Sequence, residues 1–175
     1  MRKSLVVGIL ISWSVMDFGG ASIAPLVGAP VTVQPPARGD GGLTAVLAQV
    51  EAAQAELVRG RPDAFKALWS HADDVTLVGG LGGAIATGWT RVSQRLDWVS
   101  SQYANGSRTH EEVARVVGQD VAYVVQRETI RFRPPGQTRR TTQELRTTMV
   151  FRFESGSWRI VHRHADSQIA KQPAQ

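Results

Sequence analysis

The sequence contains no cysteine, and only three of its 175 residues are lysine. Without cysteine there is no disulfide framework, no thiolate metal site and no cysteine nucleophile. With 20 basic and 15 acidic residues the formal charge is +5, carried almost wholly by arginine. No apolar run approaches the roughly 20 residues that a membrane-spanning helix needs. Several motifs are also missing. No Lys follows Gly79-Gly80-Leu81-Gly82-Gly83, as a phosphate loop requires, and Ile85 stands where a dinucleotide turn needs its third Gly. His110-Glu111 opens like HExxH, but Ala114 occupies the second His position, and no GxSxG occurs. The sequence therefore calls for no cofactor and no metal.

What is present begins with Arg2 and Lys3, ahead of an apolar stretch over 5–16 and then small residues. That is the layout of a secretory signal, so 1–24 is expected to be a signal peptide, cut after Ala21 or Ala24. The protein would then be secreted or periplasmic, with no stable membrane span after removal. An uncleaved anchor, or a true start further on that leaves the chain cytoplasmic, are the alternatives. Residues 25–42 are rich in Pro and Gly and read as a linker. The folded domain is expected over 43–168, with 169–175 as a disordered tail.

Leu43, Val46, Leu47, Val50, Ala53 and Leu57 recur at helical spacing, and Gly60 closes the segment. Pro62 suits the start of a second helix carrying Phe65, Leu68 and Trp69 on one face. A strand is expected over 75–78 and a third helix over 89–103, ended by Asn105-Gly106. Four β-rich runs follow, 111–118, 120–132, 138–154 and 157–165, joined by short turns that make them antiparallel. The expected fold is α+β: a strongly curved antiparallel sheet with the helices packed in its hollow.

The last run carries the clearest chemical signal. Strict alternation puts Trp158, Ile160, His162 and His164 on one face, and Arg159, Val161 and Arg163 on the other. Trp and Ile mark the first face as the inner one, so both imidazoles are expected in the hollow. They are either a hydrogen-bonded core pair or a functional pair, with Glu128 or Asp166 as an orienting carboxylate. Glu128 is equally readable as an exposed ion-pair partner. Candidate lining residues for an apolar ligand are Trp69, Met149 and Phe151, with Trp89, Tyr123 and Trp158. His71, Asp73 and Asp74 read as a solvated turn. Arg131, Arg133, Arg139 and Arg140 flank Pro134-Pro135-Gly136 and read as a solvated hairpin, so a nucleic-acid partner is not expected; a phosphate or anionic-lipid patch is the alternative.

The ordered pieces PDAFKALWSHADDVTLVGG, a Gly loop ending in GW, a helix and a meander closing SGSWRIVHRHADS resemble the SnoaL-like branch of the nuclear transport factor 2-like superfamily. The resemblance spans about 43–167, and its most specific piece is Trp158, Val161, His162 and His164. A similar ending occurs in the association domain of calcium/calmodulin-dependent kinase II. The resemblance implies a cone-shaped α+β barrel wrapped around N-terminal helices, a pocket at its open end, and a homodimer. It implies a small apolar ligand and, if a reaction occurs, proton transfer of the isomerase, dehydratase or cyclase type with His162 or His164 as acid/base. A non-catalytic adaptor with structural histidines is the alternative. The ketosteroid isomerase residues are not matched: its Tyr falls near Ala53, its base near Gly79 and its proton donor near Met149.

Overall fold

A computed structural model describes residues 38–167. The expected signal peptide, most of the linker and the tail lie outside the described residues. Helix α1 (Asp40–Leu57) buries the stripe Leu43, Val46, Val50, Ala53 and Leu57, as its period requires. Helix α2 (Asp63–Lys66) is a single turn, after which Trp69 bridges to Ile160 in parallel fashion. Strands β1 (Thr76–Val78) and β2 (Ala86–Thr87) are short, and helix α3 (Trp89–Ser101) buries Val92 and Leu96. Four long strands follow: β3 (Ala104–Val117), β4 (Val121–Arg133), β5 (Thr141–Glu154) and β6 (Ser157–Ser167). Among the described residues no helix is long and apolar enough to cross a membrane.

The expectation of a strongly curved, wholly antiparallel sheet closing into a cone-shaped barrel is overturned. The sheet is open and mixed, in the order β2-β1-β6-β5-β4-β3, with β1 parallel to β6. Its edges, β2 and β3, do not pair with each other. The physical reason lies in lengths: strands of three and two residues supply only a few ladder bonds and cannot carry the sheet round to β3. Nor does Asn105-Gly106 end the third helix. Both residues lie inside β3, where the register shifts between Ala104 and Ser107.

One face of the sheet packs on the helices. Its inner residues include Val124, Met149, Phe151, Trp158 and Ile160, all at most 1% exposed. Burying side chains of this size contributes about 1.5–3 kcal/mol each, before the entropy of ordering them.

Candidate functional site

The inner face changes character at one residue of β6. Phe151 pairs with Ile160 but Val150 pairs with His162, so Val161 is an extra residue in β6. A β-bulge of this kind reverses the alternation beyond it. Trp158 and Ile160 point inward as expected, but Arg163 and Ala165 then take the inner face. The placement of His162 and His164 in the hollow is thereby corrected: His164 is exposed and His162 is half-buried, with its Nδ1 2.7 Å from Thr76 Oγ1 on β1. Burial first, and the neighbouring His164 second, hold the His162 imidazole below its ordinary value of 6.5. The unfolded chain thus takes up this proton more readily, and stability falls as pH drops below about 6.5. Ring-proton NMR of the folded chain is expected to give a His162 midpoint below 6.5, and His162→Gln should flatten the stability profile there.

Glu128 on β4 is 1% exposed and sits between two guanidinium groups. Arg163 Nη2 donates to its Oε2 at 2.8 Å, Arg108 Nη2 of β3 lies 3.1 Å from Oε1, and Thr147 Oγ1 donates to Oε1 at 3.2 Å. Burial pushes this carboxyl up, but the charges and hydrogen bonds of Arg163 and Arg108 outweigh it and hold it at about 2. Arg108 also donates to Gln126 Oε1 at 3.2 Å, and its Nη1 is 3.3 Å from His110 Nδ1. The phenol of Tyr103, at the end of α3, is pushed up to about 12, mainly by burial.

These groups end a cavity of about 40 Å³ between α1, α3 and the sheet. Its walls include Leu57, Phe65, Leu77, Leu96 and Ile130, and its lip is Gly79-Gly80-Leu81. The lip is tied down by Gln143 Nε2 donating to Gly80 O at 2.8 Å and by Arg95 donating to Gly82 O. One water needs about 10–15 Å³, so the enclosed part holds about three, or one end of a ligand. A second, polar compartment of about 190 Å³ shares Gln54 and Arg108 with the first and continues past Glu51, His110 and Arg115.

Of the candidate site residues singled out from sequence, Glu128 lines the apolar cavity. Trp69, Met149, Phe151 and Trp158 are packed in the core and are not among its lining. Trp89 stacks on His71 at 4.0 Å, and Tyr123 is exposed on the outer face of the sheet. Asp166 pairs with Arg146 at 2.6 Å near the surface. Among the described residues no group of three or more His, Asp or Glu comes together to hold a metal. Sequence reasoning missed Gln54, Arg108 and Arg163. Gln54 did leave a signal, since it interrupts an otherwise apolar stripe between Val50 and Leu57.

Residues 46–170 match the SnoaL-like domain. The chain belongs to that family. No curated protein matches this SnoaL-like chain. Among solved structures, it is similar to a ketosteroid isomerase-like protein from Erwinia carotovora atroseptica, with TM-score 0.63, 18% identity, and 75% of this chain and 100% of that one covered. A nuclear transport factor 2-like superfamily protein from Salmonella enterica serovar Typhimurium gives TM-score 0.60 and 14% identity over 74% and 96%. An uncharacterised protein with a cystatin-like fold from Caulobacter vibrioides gives 0.56 and 17% over 74% and 92%. At these identities the likeness is one of fold. The SnoaL-like domain thus belongs to a fold family whose members can bind small molecules, and fold alone does not give its chemistry.

Proposed function

We propose that this SnoaL-like domain binds a small, largely apolar molecule in the cavity between α1, α3 and the inner sheet face, as a binding module and not as a proton-transfer enzyme. The observation that carries this reading is the apolar wall formed by Leu57, Phe65, Leu77, Leu96 and Ile130, which ends on a buried, hydrogen-bonded ion cluster. Apolar concavities with few convergent polar groups are the usual form of a ligand site. Proton transfer through His162 or His164 finds less support, because the bulge at Val161 turns both away from this cavity. Glu128 at about 2 and Tyr103 at about 12 are both far from the range in which an acid or base works best near neutrality. The homodimer reading retains the outer sheet face, where Val116, Val121 and Tyr123 are exposed.

Benzyl alcohol is a suitable neutral probe. At ten times its dissociation constant it should stabilise the domain by about 1.4 kcal/mol, seen as a rise in melting temperature. Val99 lines the cavity and is half-buried, so Val99→Trp should fill the site and abolish that rise while the domain still folds. An unchanged response in the folded variant would place binding elsewhere and end this reading.

A further inference from the structure

The cavity's polar end is unbalanced in charge. Arg108 and Arg163 bring two positive charges, and among the described residues Glu128 is the only acidic one that lines the cavity. The side chains of Arg108 and Glu128 are 4% and 1% exposed, and that of Arg163 is 11% exposed, so solvent does little to compensate. The carboxylates that approach from neighbouring elements are committed or outward. Glu112 pairs with Arg115 at 2.8 Å, and Glu51 is exposed, 3.8 Å from His110.

Hydrogen bonding is unbalanced in the same place. Among the described residues, Arg108 Nε and Arg163 Nε are buried donors with no protein partner, and Gln54 Oε1 is a buried acceptor with none. Gln54 is itself only 2% exposed. All three residues line the cavity, and Gln54 and Arg108 also line the polar compartment beside it. Buried polar atoms are almost always satisfied, so such a set marks where a partner belongs. Two donors with an excess positive charge want an anionic oxygen, and the amide oxygen wants a donor.

Resting on the binding reading above, we infer that the ligand is a small carboxylic acid with an apolar body and a hydroxyl group. Its carboxylate seats against Arg108 and Arg163, its hydroxyl donates to Gln54, and its body lies along Leu57, Leu77, Leu96 and Ile130. A cation is repelled by the arginine pair. A polycyclic body is too large for the enclosed space, which has room for about three waters, so the ligand enters it by its carboxylate end with the remainder toward the glycine lip.

The test is a calorimetric titration of the full chain at pH 7 with benzoate, benzyl alcohol and benzylamine, which share one ring and differ in charge. Benzoate should bind about tenfold tighter than benzyl alcohol, because its bonds to the guanidinium groups are charge-assisted, and benzylamine should not bind detectably. The best of the three monohydroxybenzoates should bind about fivefold tighter than benzoate, and Gln54→Met should make the two equal. Benzyl alcohol binding as tightly as benzoate, or a hydroxyl gain that survives in Gln54→Met, overturns the inference and leaves the pocket reading standing. A folded chain that binds none of the three overturns both.

Discussion

Arg163→Leu is expected to cost the domain about 3–5 kcal/mol, because it leaves Glu128 buried with only half of its counter-charge. Domains of this size are stable by about 5–15 kcal/mol, so the loss is a large share of the whole. The wild-type cluster also sets an acid limit. Glu128 is held at about 2 in the fold against an ordinary value of 4.5. Its contribution is therefore complete above pH 4.5, and is lost as pH falls from there through about 2. In Arg163→Leu that acid loss should be smaller and should end at a higher pH, since one of the two charges lowering the carboxyl is gone while the unfolded value of 4.5 is unchanged. Replacing the whole cluster (Arg108→Met, Glu128→Leu, Arg163→Leu) should recover most of the stability, because no ion then remains to be desolvated. Urea unfolding at pH 7 measures all three chains. A single-variant loss under about 1 kcal/mol would mean that the cluster is hydrated, as surface pairs are.

Gly106→Ala should be nearly as damaging, at about 3 kcal/mol. A Cβ on Gly106 would lie 2.1 Å from the carbonyl oxygen of Val58 and 2.9 Å from its carbon. The atom met is backbone at the end of α1, and it already accepts a hydrogen bond from Gly106 N at 3.0 Å. Relief requires either α1 or β3 to retreat, and forced repacking of that kind costs typically 1–3 kcal/mol. Gly82→Ala, where nothing lies within 4 Å but φ is +77°, is the control. Its cost should stay near 1 kcal/mol, the penalty for a left-handed backbone without glycine. Equal losses in the two variants would show that contact with Val58 is not what Gly106 protects.

Both effects arise where the sequence was hardest to read. The stripe from Leu43 to Leu57 announced α1 because a helix repeats its neighbours every three or four residues. Met149 and Phe151, two positions apart, share one face of β5 by the simpler rule of alternation, and both are buried. Neither device sees pairing between distant segments. The parallel contact of β1 with β6 joins residues more than eighty positions apart, and nothing local in TLV encodes it. The ion cluster draws one residue from each of β3, β4 and β6, and Arg108 and Arg163 each look like ordinary surface arginine until the register is known. Asn105-Gly106 misled for a different reason. Its turn-forming chemistry is real, and Asn105 does adopt a positive φ of 49°, but the fold uses it for a bulge. The face of His162 and His164 was lost through Val161 alone, since a bulge leaves no mark in composition or periodicity.

Val161 also fixes which way the end of β6 faces. Deleting it would remove the bulge yet leave Arg163 opposite Met149 and His162 opposite Val150, so the guanidinium would stay inside and the imidazoles outside. Only a flattened bulge that kept Val161, slipping every later residue of β6 by one against β5, would bring two imidazoles in and trade a fixed positive charge for groups that titrate near neutrality. A single step of register, with no change of sequence, thus separates two chemically different linings of the same hollow.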